Sequence, residues 1–294
     1  MKKRISLLCV IYFTSASFCY AGEICSRENI VPCVVLLEQK SNIASISING
    51  VKSELWYKEP GSAEPKPRYE FFQGTGFLVS SENNKLFLVT AAHVALTMTP
   101  SAQITFKGEN DAPISLALSE ASGFKKELPW VYHPEADVAV LPLFPENVIL
   151  IKYFKNHFLP QSLISSEKVP PSRDIPLTVF GFPLGFGAVD TFSPLTKTSH
   201  TASSLMQLSR FDNGKVTTFY ILEDPSITGY SGGPVFDVSM YKIGALSTTG
   251  SGTKLVGIMH GTLSDPTGGK LAAVVPSYFI VETINLALSE PSNK

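Results

Sequence analysis

Thr228-Gly229-Tyr230-Ser231-Gly232-Gly233-Pro234-Val235 is the stretch on which the reading of this chain turns. A serine stands in a glycine-rich turn, and Pro234 and a β-rich stretch follow it. Glycine permits a tight backbone and lets a second chain approach closely. A turn that presents a hydroxyl just ahead of a strand implies a sheet protein with chemistry at a strand end.

Working outward, the same pattern repeats. Short apolar runs cut by turn residues occur at 76–80, 86–90, 103–106, 138–143, 177–182, 217–222, 255–259 and 271–275. Each reads as a strand, and Glu82-Asn83-Asn84 reads as a hairpin turn between the first two. Repeated short strands point to all-β barrels or sandwiches. Upstream, 31–37 and 43–51 are further strand candidates on an N-terminal arm over 22–65, closed by the proline-bearing stretch 59–67. A proline-bearing connection at 160–176 separates two halves. Near the end Ser277 is placed to cap a helix whose Ile280, Val281, Ile284 and Leu288 share one face.

Composition sets bounds. With 294 residues, 44% apolar and 19 Phe, the chain has ample material for a core and is not disordered. Its 24 Lys plus Arg against 25 Asp plus Glu lack the basic excess of a nucleic-acid binder. The start is different in kind. Lys2, Lys3 and Arg4 precede an apolar run over 5–13 and a small-residue stretch ending at Ala21, the layout of a secretory signal peptide over 1–21. The apolar run is short for a membrane span, and Phe18 before Cys19 disfavours a lipid-modified cysteine. Removal of 1–21 leaves 21 basic against 25 acidic residues, a net charge of −4. It also leaves only Cys25 and Cys33, and such a close pair in an exported chain is expected as a disulfide. With no Cys beyond position 33, a cysteine nucleophile or a Cys-ligated zinc is not expected.

Two further segments complete a chemical set. Leu88-Val89-Thr90-Ala91-Ala92-His93-Val94 ends a strand on an imidazole, and His133-Pro134-Glu135-Ala136-Asp137-Val138 puts a carboxylate ahead of another strand. A serine hydroxyl becomes a nucleophile when a neutral imidazole takes its proton. A carboxylate then holds the imidazole in the right tautomer. Backbone N–H groups of Gly229 and Ser231 would form an oxyanion hole, worth roughly 3 kcal/mol per donor. His133, His157 and His200 lie in polar or loop segments and read as solvent-facing. The five His show no zinc spacing, so neither metal nor cofactor is expected.

These three segments resemble the His, Asp and Ser boxes of trypsin-like (chymotrypsin-fold) serine peptidases. The order fits, with gaps of 44 and 94 residues, and Gly74-Thr75-Gly76-Phe77-Leu78 and the 256–258 strand are similar too. Gly181-Phe182-Pro183-Leu184-Gly185 resembles secreted bacterial relatives in particular. The resemblance implies an all-β fold of two six-stranded antiparallel β-barrels with a C-terminal helix, the barrels covering 66–165 and 166–294. It implies His93 as general base, Asp137 as orienting acid and Ser231 as nucleophile of a secreted or periplasmic endopeptidase. Its substrate would be protein or peptide, cleaved through an acyl-enzyme, with no nucleic acid and no stable membrane insertion after signal removal. Gly229-Tyr230-Ser231-Gly232-Gly233 also fits the α/β-hydrolase elbow, but that fold needs Asp and His after the serine and a helix directly behind it.

The sequence departs from the digestive relatives at two places. Tyr230 stands where they carry an Asp that binds the new N-terminus, so activation by that ion pair is not expected. Pro225 stands where trypsin-type specificity needs an Asp. The substrate pocket would be walled by Pro225, Thr228, Met259, His260 and Gly261, with His260 a candidate for favouring an acidic side chain. The 63 residues after Ser231 are expected to hold no PDZ-like domain. A catalytically weak binding module and an esterase are the alternatives on the same site.

Overall fold

The computed structural model describes residues 26–43, 45–48, 51–58, 61–62, 64–144, 154, 157–238, 240–243, 246–249 and 253–289. Two antiparallel sheets dominate, as expected of an all-β chain. The first is built from β1 (Val34–Ile43), β2 (Tyr69–Ser80), β3 (Leu86–Thr90), β4 (Gln103–Lys107), β5 (Pro113–Ala117), β6 (Val131–Tyr132) and β7 (Ala139–Leu143). Their spatial order is β6-β7-β3-β2-β1-β4-β5, and the short segment Leu159–Pro160 pairs parallel to β2 as an eighth strand. The second sheet comprises β8 (Leu177–Gly181), β9 (Leu195–Ser199), β10 (Met206–Ser209), β11 (Val216–Leu222), β12 (Pro234–Asp237), β13 (Lys254–Ser264) and β14 (Lys270–Pro276), in the order β9-β8-β12-β13-β14-β11-β10.

Three expectations change. The sheets have eight and seven strands rather than six each, and among the described residues neither strand order closes on itself. The extra member of the first sheet comes from the expected arm: β1 pairs with β2 on one side and β4 on the other. Val34, Val35, Leu36 and Leu37 are buried there, which is why an apolar run read as an arm becomes an interior strand. A separate hairpin pairs Ser45–Ile48 with Val51–Glu54. The signal-peptide segment and Cys25 lie outside the described residues, so the expected disulfide does too; Cys33 is buried in the first core.

The core of the first sheet is aliphatic and aromatic, with Phe77, Leu88, Val89, Phe106, Val140 and Leu141 at most 1% exposed. The hairpin at 81–85 forms, and Asn84 takes the left-handed conformation that asparagine tolerates. The C-terminal helix Tyr278–Ser289 follows β14 and returns to pack on β6 and β7 of the first sheet. Ile280 and Ile284 are buried as expected, while Leu288 is 38% exposed. Ser277 precedes the helix, but its hydroxyl donates to the Ser165 carbonyl. No described helix is long and apolar enough to cross a membrane.

Candidate active site

His93 sits on the single turn Ala92–Ala95 that follows β3. Small residues allow this turn to lie close to the sheet: Ala92, Ala95 and Ala139 pack together. Asp137 ends the turn before β7 and is completely buried. His93 Nδ1 lies 2.7 Å from Asp137 Oδ2, and the His93 backbone N–H donates to Asp137 Oδ1 at 2.9 Å. The carboxylate thus fixes both the ring and the backbone of the residue beneath it. His93 keeps 17% of its side chain exposed.

Ser231 comes from the second half, in the loop ahead of β12. That loop is closed by Tyr230 N–H to Ile227 O and Gly233 N–H to Tyr230 O. It is pinned to β13 by Gly232 N–H to Met259 O and Met259 N–H to Gly233 O. Thr75 of β2 clamps it from the first half. The Thr75 N–H donates to Ser231 O at 2.8 Å, its hydroxyl donates to Gly229 O at 2.6 Å, and the hydroxyl accepts from Phe182 N–H. Gly229 has φ +104, and a Cβ there would lie 2.3 Å from the Phe182 carbonyl, so only glycine fits. The N–H groups of Gly229 and Ser231 have no hydrogen-bond partner among the described residues. The Ser231 hydroxyl donates to the His260 carbonyl at 3.0 Å.

The carboxylate has more partners than the sequence suggested. Arg210 Nη2 donates to Asp137 Oδ1 at 3.1 Å, and the same guanidinium forms a two-point pair with Asp212 at 2.9 and 2.7 Å. His260 Nδ1 lies 2.5 Å from Asp137 Oδ2. His260 was expected in the pocket wall; it turns inward instead and is 1% exposed, its ring between Phe211 and Phe219. A register shift between Met259 and Gly261 re-aims this stretch of β13. Burial alone would raise the Asp137 carboxyl, but hydrogen bonds from His260 and His93, and the charges those rings can carry, outweigh it and hold the carboxyl well below the usual range. His93, Asp137 and His260 bring three ligand-type atoms within 4.8 Å of one another. Both carboxylate oxygens already accept two donors each, so the set reads as a hydrogen-bond network rather than a vacant metal cage.

Of the other expected pocket residues, Pro225 and Thr228 lie in the loop before the serine, and Thr262 Oγ1 donates to the Ser226 carbonyl at 2.9 Å, joining that loop to β13. Gly261 is buried beneath Phe211. Met259 is 2% exposed and packs with Tyr230 and Val235 in the second core, so it supports the wall from behind. His133 is not solvent-facing: it is buried, accepts the N–H groups of Glu135 and Ala136 on Nδ1, and so shapes the turn that delivers Asp137. His157 and His200 are both half-buried, and His200 Nδ1 lies 3.8 Å from Glu223. Sequence reasoning missed Arg210, Phe211 and Asp212. The Asn213-Gly214 pair beside them is a hairpin signal that could have located the β10–β11 turn.

A family model described as a trypsin-like peptidase domain matches residues 74–244. No curated protein matches. Among solved structures, the HtrA-type protease AlgW with a decapeptide is similar at a TM-score of 0.51 and 16% identity, covering 90% of this chain and 66% of that one. AlgW with a tripeptide gives 0.50 and 15%, covering 89% and 62%, so this chain spans under two thirds of AlgW. The active form of the Rv3671c protease from M. tuberculosis is 17% identical, with a TM-score of 0.47, covering 88% of this chain and 82% of that one.

Proposed function

We propose, from the premise that this chain belongs to the trypsin-like peptidase family, that it is an exported serine endopeptidase working through His93, Asp137 and Ser231. The observation that carries this reading is the His93–Asp137 contact of 2.7 Å beside His260, whose carbonyl accepts the hydroxyl of a clamped serine loop with two N–H groups unpaired among the described residues. Catalysis begins when the Ser231 hydroxyl leaves the His260 carbonyl by rotating about its Cα–Cβ bond toward His93. Its oxygen attacks the peptide carbonyl carbon while Nε2 of His93 takes its proton. The carbonyl oxygen becomes an oxyanion held by the Gly229 and Ser231 N–H groups. The C–N bond breaks, the amine takes the proton from His93, and an acyl-Ser231 ester remains. Water, deprotonated by His93, then hydrolyses that ester. Asp137 stays ionised throughout and keeps the proton of the resting ring on Nδ1.

Tyr230 supports activity without an N-terminal ion pair, because it is 4% exposed and packs into the second core, holding the loop by burial. The apolar run before Ala21 supports export, and with it a Cys25–Cys33 bond. The test is labelling of the mature chain by a fluorophosphonate probe. Wild type is expected to label at Ser231 and to cleave denatured protein, and Ser231→Ala to do neither. Labelling that survives Ser231→Ala would sink the reading, and cleavage of esters but not peptides would favour the esterase.

A further inference from the structure

Arg210 is a cation with almost no access to water: it is 5% exposed and lies in the turn between β10 and β11. That turn is closed by Arg210 N–H to Lys215 O, Gly214 N–H to Arg210 O and Lys215 N–H to Asn213 Oδ1. Every side of the guanidinium is used. Nε and Nη2 hold the two Asp212 oxygens at 2.9 and 2.7 Å. Nη2 also donates to Asp137 Oδ1 at 3.1 Å, and Nη1 donates to the Glu135 carbonyl at 3.4 Å. Arg210 therefore grips the turn over 135–137 both by its backbone and by its carboxylate. The guanidinium belongs to the second half, and the turn that it grips belongs to the first. A buried ion pair is weak evidence of a gain in stability, because desolvation of the two charges offsets their attraction. What this pair adds is direction.

We propose that Arg210 is a positioning residue: from the second half it locks the rotation of the Asp137 carboxylate, so that one oxygen stays on the His93 ring, and Asp212 aims it. The proposal rests on the peptidase reading above. The last torsion of an aspartate side chain is soft, and a carboxylate turns about it readily. Here Oδ2 takes the His93 and His260 rings, while Oδ1 takes the His93 backbone N–H and Arg210. Without the guanidinium Oδ1 keeps one backbone donor, and the carboxylate can turn away from the ring. The imidazole then loses its alignment with Ser231, and a misplacement of about 1 Å costs on the order of a hundredfold in rate. Asp212 has a separate part. It takes the guanidinium in a two-point fork, which sets the plane of the group and with it the direction of the remaining Nη2 hydrogen. A lysine would bring the same charge without the fork, so one carboxylate could no longer aim it at the other.

The experiment measures kcat and KM on a fluorogenic peptide, and the rate of fluorophosphonate labelling at Ser231, in wild type, Arg210→Met, Arg210→Lys, Asp212→Asn and the Arg210→Met/Asp212→Asn double variant. Folding of each is checked by circular dichroism. Arg210→Met is expected to lose about a hundredfold in kcat with KM within roughly threefold of wild type. Arg210→Lys and Asp212→Asn should each lose about tenfold, and labelling should slow in parallel with kcat. The double variant should match Arg210→Met, because Asp212 then has nothing to aim. Folded Arg210→Met with wild-type kcat, whether or not KM rises, overturns the positioning role. A double variant whose loss is the product of the two single losses overturns the part given to Asp212. If Arg210→Met does not fold, Arg210→Lys and Asp212→Asn decide, and wild-type kcat in both overturns the proposal. Wild type that neither labels nor cleaves overturns the peptidase reading and this role with it.

Discussion

A carboxylate with no access to water persists only when its lone pairs are used. Asp137 meets that condition with four donors: the backbone and ring of His93, the ring of His260 and the guanidinium of Arg210. The arrangement also explains the tautomers. Both imidazoles face the carboxylate through Nδ1, so each neutral ring places its proton there, which leaves His93 Nε2 for the base role proposed above. His260 Nε2 is buried with no partner among the described residues, which suits a lone pair among phenylalanine rings better than an N–H. Asp137→Asn conserves shape but not donor count. An amide must point its NH2 at donors on one side or the other, and it no longer holds His93 in the working tautomer. Peptide hydrolysis by Asp137→Asn is expected to fall on the order of 10⁴-fold in kcat. A loss smaller than tenfold, measured on the folded variant, would contradict the orienting role.

The serine loop is the element in which backbone conformation and inter-sheet packing meet. Gly232 has φ +83, and a Cβ on it would lie 2.2 Å from both the Thr75 carbonyl and Thr90 Oγ1 of the first sheet. Gly268 has φ +95 with nothing within 4 Å. The pair separates strain from packing. Gly268→Ala should cost about 1 kcal/mol in urea unfolding, the expense of a left-handed residue, and leave hydrolysis intact. Gly232→Ala should cost more, roughly 3 kcal/mol, and abolish hydrolysis, because the methyl pushes the loop off Thr75. Equal effects of the two would mean that the loop does not nest against the first sheet. Elements like this were partly legible in the sequence. The His, Asp and Ser boxes were visible because small residues and glycines mark the turns that present them, and β3 and β7 were visible as apolar runs bounded by turn residues. The placement of β1 was not, because its partners Tyr69–Phe77 and Gln103–Thr105 are distant in sequence and any apolar strand would satisfy them locally. The inward face of His260 was not either, since strand alternation fails across a register shift.

At the scale of the molecule, the C-terminal helix of the second half covers a buried histidine of the first, His133. It starts behind β14 in the second half and ends its packing on β6 and β7 of the first. Glu282 of this helix meets His133 at 3.2 Å and Lys168 at 3.0 Å. Burial lowers His133 below its ordinary value of 6.5, and outweighs Glu282 and Glu135, which pull it up, while Arg210 adds to the lowering. His157 is lowered too, by burial and by Lys107. A group whose folded value is depressed takes up its proton in the unfolded chain first. The unfolded state therefore binds more protons as pH drops through 6.5, and stability falls with acidification. Asp137, also depressed, adds a second loss that begins only below about pH 5, as the unfolded carboxyl protonates. Unfolding free energy by urea is thus expected to be flat above pH 7.5 and to decline between pH 7 and 5. The slope should approach at most about 1.4 kcal/mol per pH unit for each of the two histidines. His133→Asn keeps an acceptor for the Glu135 and Ala136 N–H groups but cannot titrate. It should lower stability at pH 8 and make the pH 7 to 5 decline shallower. A decline of unchanged steepness in His133→Asn would show that the buried His133 does not carry the acid response.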